Sequence, residues 1–209
     1  MLINREGLNL VLSLTGLTLI SAVIFPPLSP FFLIATGFTA YFFRDPVRRV
    51  SPDPNELVSP ADGHVVAIDR IHEPDFFGCE VQRVSIFLSV FDVHVNRSPI
   101  AGKVVYTKYR EGEFRAALAS EASEVNERNS FGILGDNNRK IIVTQIAGLI
   151  ARRIIPWKFE GDVVEKGAKL GMIRFGSRTD LLFPDEYEVS VRIGQRVRGG
   201  LEVIARIRE

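Results

Sequence analysis

A mainly β fold, a barrel-sandwich-like domain preceded by an N-terminal apolar helical hairpin, is what this 209-residue sequence predicts. Three observations carry that expectation. Short Val/Ile/aromatic runs broken by turn residues recur about every ten positions from Leu57 onward. The 37 residues from Gly7 to Phe43 contain no Asp, Glu, Lys or Arg. A Pro-rich break, Pro26-Pro27-Leu28-Ser29-Pro30, divides that charge-free block in two.

The block comes first in the chain. Leu8 to Phe25 is an apolar run of 18 residues diluted by Ser, Thr, Asn and Gly, and Phe31 to Phe43 is a second run of 13. As helices they reach about 27 Å and about 20 Å at ~1.5 Å per residue, against a bilayer core of ~30 Å. The first is marginal as a span and the second too short. A hairpin dipping into one leaflet, or two tilted short spans, fits better than one crossing. Arg44, Arg48 and Arg49 follow at once, suiting anionic headgroups and a globular domain on the cytoplasmic side of the cell membrane. The competing readings are a buried hairpin of a soluble domain and a signal peptide. Arg5 alone makes a thin n-region, and the Pro break is foreign to a signal peptide. The expected division is therefore 1–43, a membrane-associating hairpin, and 44–209, a β-rich domain.

The remaining 166 residues carry 49 charges, roughly 30%, a little above the usual soluble domain. Strands are expected at Gly63–Ile71, Val81–Val90, Gly102–Tyr109, Lys140–Ala147, Tyr187–Ile193 and Val203–Ile207. A helical pattern outside the block is visible only at Glu113–Val125. Glu160 to Gly171 (EGDVVEKGAKLG) reads like the hammerhead hairpin of biotinyl and lipoyl domains, without the context of a modified lysine.

Several chemistries are excluded by what is missing. A formal charge of +1 argues against nucleic-acid binding. A single cysteine, Cys79, rules out an intramolecular disulfide and a CxxC site. The three histidines, His64, His72 and His94, form no HxH or HExxH pattern, so no metal site is expected.

Three short stretches could carry chemistry: Ser59-Pro60-Ala61-Asp62-Gly63-His64, Phe91-Asp92-Val93-His94-Val95-Asn96-Arg97 and Phe175-Gly176-Ser177-Arg178-Thr179-Asp180. Taken singly, Asp-Gly and Gly-Ser read as turns and a lone His as structural. Taken together and in order, they resemble the phosphatidylserine decarboxylase proenzyme family, in its short branch. Further matching blocks are Phe43-Arg44-Asp45-Pro46, Asn126 to Asn129 (NERN), Ala147 to Ile154 (AGLIARRI) and Gly171 to Asp180 (GMIRFGSRTD). FGSR stands where the long branch carries LGST.

The resemblance implies a chain that cuts itself at Gly176–Ser177 into a β chain, 1–176, and an α chain, 177–209, which stay together as a heterodimer with scope for further dimerisation. It implies catalytic roles for Ser177, His94 and Asp62. Ser177 would attack the Gly176 carbonyl, His94 would act as its base, and Asp62 would orient and charge-stabilise the imidazole. It implies a pyruvoyl group made from Ser177 as cofactor, an electron sink in the place of pyridoxal phosphate. The substrate would be phosphatidylserine and the product phosphatidylethanolamine, so the partners are a phospholipid and the membrane surface. Arg174, Arg178, Asn126 and Asn129 are the candidates for binding substrate, with Arg97 beside them, since Arg presents a planar donor fork to oxyanions.

The alternatives are an archaeal ether lipid with a serine headgroup as substrate, a soluble pyruvoyl amino-acid decarboxylase, and a non-enzymatic membrane-tethered barrel-sandwich adapter. The charge-free block speaks against the second. Adapters insert a long coiled coil, and no sustained heptad run is present.

Overall fold

The computed structural model describes residues 2–113, 125–148, 153–174 and 177–208. It forms two units, Met1–Val47 and Arg48–Glu209.

In the first unit β1 (Leu2–Ile3) leads into α1 (Arg5–Ile24), a 3-10 turn at Pro26–Leu28, α2 (Ser29–Phe42) and β2 (Arg44–Asp45). Antiparallel pairing of β1 with β2 staples the base of this helical hairpin. α1 starts at Arg5, earlier than the apolar run, because the Asn4 side chain accepts the Glu6 N–H at 3.0 Å and caps the helix. Its 20 residues make about 30 Å, the thickness of a bilayer core. It is therefore long and apolar enough to cross a membrane, whereas the 14 residues of α2 reach about 21 Å. Thr15, Thr18, Thr36 and Thr39 each donate a hydroxyl to the carbonyl four residues back at 2.8 Å, which satisfies them without water. Thr18 and Thr36 also meet across the two helices at 3.3 Å. Gly7 admits the Phe43 ring; a Cβ there would fall 2.1 Å from Phe43 Cγ.

The second unit is an antiparallel β structure. Eight strands curl into a half-barrel in the order β11 (Val163–Val164), β7 (Gly102–Arg110), β8 (Arg128–Leu134), β9 (Lys140–Ile146), β13 (Ser177–Phe183), β5 (Cys79–Leu88), β4 (Gly63–Glu73) and β15 (Arg196–Val197). A three-stranded sheet holds β10 (Ile154–Pro156), β12 (Lys169–Ile173) and β6 (Val95–Arg97). Another holds β14 (Tyr187–Val189), β16 (Val203–Ile207) and β3 (Glu56–Val58). Alternate residues of the large sheet face inward. Val84 and Ile86 on β5, Leu181 and Phe183 on β13, Ile141 and Val143 on β9, and Phe131 and Ile133 on β8 make the centre of the core.

The mainly β expectation holds, and the six anticipated strands form, although the one at Tyr187 stops at Val189. Two central strands were not anticipated, β8 and β13. The stretch Glu160–Gly171 is not a hairpin, since β11 joins the large sheet and β12 the sheet with β6 and β10. The helical pattern at Glu113–Val125 falls almost wholly on 114–124, outside the described residues.

Candidate active site

The Ser59–Gly63 stretch enters β4 through a backbone that only glycine tolerates. Gly63 has φ +154°, and a Cβ there would lie 2.1 Å from the Phe87 carbonyl oxygen of the neighbouring strand. That turn delivers Asp62. Its Oδ2 accepts from Arg48 Nη2 at 2.8 Å and its Oδ1 from the Gly199 N–H at 2.8 Å. Burial pushes the Asp62 carboxyl above its usual range, with Arg48 pulling the other way and the nearby Asp92 adding to the rise.

The second stretch delivers His94. Asp92 Oδ2 accepts the N–H and hydroxyl of Ser89 at 2.9 and 2.7 Å and closes the turn after β5. His94 is fully buried, and its Nδ1 lies 3.0 Å from the Asp92 carbonyl oxygen. A carbonyl only accepts, so Nδ1 carries a proton, and the tautomer this favours has its lone pair on Nε2. The Asp62–His94 contact expected from the sequence is therefore not made. The backbone of Asp92 orients the ring, and Asp62 belongs to Arg48 and Gly199. The Ile173 N–H donates to the His94 carbonyl at 3.2 Å, which holds His94 beside the segment leading to Ser177.

Ser177 opens β13, the strand between β9 and β5, opposite Leu88. A Gly-Ser turn was the simplest local reading, yet from Ser177 the chain runs as a fully buried strand. The Ser177 hydroxyl is buried and has no hydrogen-bond partner among the described residues. A buried serine hydroxyl with nothing to bind is costly unless it has a chemical task. It also fits the pyruvoyl expectation, because the residue that would become the group is buried and its hydroxyl unpartnered among the described residues. Gly176, the other half of the expected cleavage site, and Phe175 lie outside the described residues, as do 149–152 of the AGLIARRI block.

Beside Ser177 lies a buried polar row of which the sequence pointed only to Asn129. Asn129 on β8, Gln145 on β9 and Thr179 on β13 are in register across three strands. Asn96, two residues after His94, donates to Thr179 Oγ1 at 2.8 Å and accepts from Gln145 Nε2 at 2.8 Å. Asn96 thereby ties the strand that follows His94 to the strand that starts with Ser177. Gln145 Oε1 and Asn129 Nδ2 have no hydrogen-bond partner among the described residues. The signal was present in part as spacing, because Ser177 and Thr179 are an i, i+2 pair on one face of β13 and Asn96 stands two residues after His94.

The other expected residues divide. Asn126 is buried and donates to the Ala147 carbonyl at 2.8 Å. Arg97 donates to the Gly167 carbonyl at 3.1 Å. Arg174 is half-buried beside Arg153, whose carbonyl accepts its N–H. Arg178 points to the face opposite Ser177 and holds Asp180 through two hydrogen bonds of 2.6 and 2.8 Å, with only 4% of the residue exposed. A guanidinium so engaged cannot double as a carboxylate receptor on the serine side. His64 and His72 are exposed on β4.

A family model described as phosphatidylserine decarboxylase matches residues 35–205. Proteins named phosphatidylserine decarboxylase proenzyme are similar along nearly the whole chain. That of Desulfotalea psychrophila is 44% identical over 204 residues, 97% of this chain and 95% of the relative. That of Symbiobacterium thermophilum is 43% identical over 206 residues, 99% and 96% of the two chains. That of Solibacter usitatus is 50% identical over 177 residues, 85% and 82%.

Proposed function

The chain belongs to the phosphatidylserine decarboxylase family, and from that premise we propose that it is made as a proenzyme which cuts itself at Gly176–Ser177 and then turns phosphatidylserine into phosphatidylethanolamine at the membrane surface. It is an enzyme, a lipid decarboxylase; the adapter alternative falls with the family assignment. The observation that carries the self-cutting is the buried, unshared Ser177 hydroxyl at the head of a central strand.

The chemistry follows from the residues. Ser177 Oγ attacks the Gly176 carbonyl carbon, and its proton passes to His94 Nε2, the ring nitrogen that carries the lone pair. The Asp92 carbonyl keeps the ring in that tautomer by accepting from Nδ1. The amide becomes an ester, and the Ser177 nitrogen becomes a free amine. Loss of the Cα proton expels the upstream chain as a carboxylate and leaves dehydroalanine at 177. Water converts that residue to a pyruvoyl group and releases ammonia. The negative charge of Asp62, held in place by Arg48, favours the protonated imidazole through space. When formed, the pyruvoyl group supplies the electron sink for the pair left behind as CO2 departs. His94 Nε2 then returns a proton to that carbon.

The two products, residues 1–176 and 177–209, remain one folded body because β13 stays paired with β9 and β5. Asn126, Asn129 and Arg174 stay on the substrate side of this proposal; Arg178 serves the fold. The hairpin holds the enzyme on the cell membrane, with α1 long enough to span. Arg44, Arg48 and Arg49 favour the cytoplasmic side for the β unit. Release of CO2 by the purified chain from phosphatidylserine, with an archaeal ether lipid of the same headgroup in parallel, tests the substrate. CO2 from phosphatidylserine is expected, and none from it would overturn the reading.

A further inference from the structure

Beyond the reacting centre, a groove of about 670 Å³ opens where β7, β8 and β10 meet. Asn129 lines it and is 4% exposed, with Nδ2 free of any partner among the described residues. Asn129 is also the outer member of the row Asn129–Gln145–Thr179. Neighbouring strands lie about 4.8 Å apart, and two residues along a strand cover about 7 Å, so Asn129 Cα is about 12 Å from Ser177 Cα. A phosphodiester headgroup with its flanking glycerol matches that span once the side chains at each end are subtracted.

The charges in the groove suit one end of such a molecule. Arg153 and Lys158 line it without an ion-pair partner among the described residues. Two acids line it too. Glu111 is exposed, while the buried Glu127 carboxylate accepts from the Tyr109 hydroxyl at 3.1 Å and the Ile154 N–H at 3.4 Å. Arg153, like Glu111, is exposed at the rim, so half-buried Lys158 is the unengaged charge of the wall, and Asn129 adds a neutral donor at the floor. At the lip, Tyr109 and Phe159 are 54% and 61% exposed, amphipathic and apolar rings of the kind that rest at a lipid surface.

We infer that this groove is the phosphodiester subsite of the enzyme. A non-bridging phosphate oxygen of the phospholipid accepts from Asn129 Nδ2, with Arg153 and Lys158 neutralising the charge and the glycerol leaving past Tyr109 and Phe159. The inference rests on the decarboxylase reading and adds a division of labour to it. The serine end is handled beside Ser177, and the phosphate end two strands away. A cation beside the reacting carboxylate would not suit this reaction. An arginine there would stabilise the charged ground state more than a transition state that is losing that charge. A phosphate keeps its charge throughout, so cations in this groove aid binding without raising the barrier.

The test uses the full chain in detergent, a soluble short-chain phosphatidylserine as substrate, and glycerophosphoethanolamine, ethanolamine and inorganic phosphate as competitors. Asn129→Leu and Lys158→Glu are each expected to raise KM at least about tenfold, the scale of a hydrogen bond to a charged group, with kcat within about twofold. Inhibition by glycerophosphoethanolamine should weaken by the same factor, and inhibition by ethanolamine, which has no phosphate, should not move. Direct binding of glycerophosphoethanolamine, followed by calorimetry, should weaken in parallel. Lys158 is half-buried at the groove wall, so its variant carries the test if Asn129→Leu does not fold. A fall in kcat at constant KM, or equal changes for the two competitors, would overturn the subsite. So would inorganic phosphate competing as well as the diester. Wild-type protein that binds glycerophosphoethanolamine but releases no CO2 would instead contradict the decarboxylase reading and leave the subsite standing.

Discussion

The helical unit and the β unit of this molecule invert each other's rule of burial. In the helical unit large apolar side chains face outward, with Leu12, Val23 and Ile34 exposed by 60%, 83% and 73%. Its polar hydroxyls are turned inward to their own backbone. In the β unit the core is apolar, yet at one end of the inner sheet face it gives way to Ser177, Thr179, Gln145, Asn96 and His94, all fully buried. An exposed apolar surface of this extent marks a membrane or protein contact. Among the described residues Ser177 Oγ and Gln145 Oε1 are buried without a hydrogen-bond partner, and such atoms call for a ligand, a reaction or ordered water. Each unit breaks the ordinary rule in one direction, and the proposed function uses both breaches.

That contrast can be broken at several places. The largest effect is expected from Ser177→Ala, which removes the attacking oxygen and should leave the chain whole on intact-mass measurement. His94→Ala should slow cutting by about 10²- to 10⁴-fold, the scale of a lost general base; normal cutting kinetics on a gel time course would remove His94 from that step. In the helical unit, Leu12→Lys with Leu19→Lys places two charges on the exposed apolar surface. Each costs about 2.5–3.5 kcal/mol near the centre of a membrane helix, so the chain should no longer co-sediment with vesicles. Unchanged sedimentation would mean that this surface does not meet lipid. Arg178→Met strips a partner from a buried carboxylate and should cost about 3 kcal/mol of stability in urea unfolding. Its KM should not change, which separates a structural arginine from a substrate-binding one.

The smallest expected effect is a pH shift. Burial raises Asp62, and Arg48 lowers it in part. The protonated carboxyl is therefore favoured by folding. The stability it contributes is complete below the unfolded value of 3.8 and is lost as pH rises through the raised folded value. Arg48→Met removes the lowering influence and moves that window upward. Because cutting uses the ionised form, the acid limb of the cutting rate should move to higher pH in this variant. An unmoved limb would show that Asp62 takes no part through its charge.

Much of this architecture was legible in the sequence. Alternating Val and Ile wrote out β4, β5, β7, β9 and β16, because a half-buried strand needs period two. The charge-free block wrote out the hairpin, although the Asn4 cap carried α1 back over Arg5 and Glu6. β13 was illegible for a physical reason. It opens Ser-Arg-Thr-Asp, a turn-like string, and is buried all the same, because Asn96 satisfies Thr179 on one face and Arg178 satisfies Asp180 on the other. Local propensity cannot see partners that arrive from 83 residues away. The same blindness hid the gift of Asp62 to Arg48 and the role of the Asp92 carbonyl, since a backbone oxygen has no letter in a sequence.

The central claim is that Ser177 is both the nucleophile of the cut and the source of the catalytic group. The mass of the small chain tests it most directly. The account predicts a chain of residues 177–209 that is lighter by one ammonia than the same chain beginning with serine, and blocked to stepwise N-terminal sequencing. A small chain that begins with intact Ser177, or an uncut chain that still releases CO2 from phosphatidylserine, would contradict it.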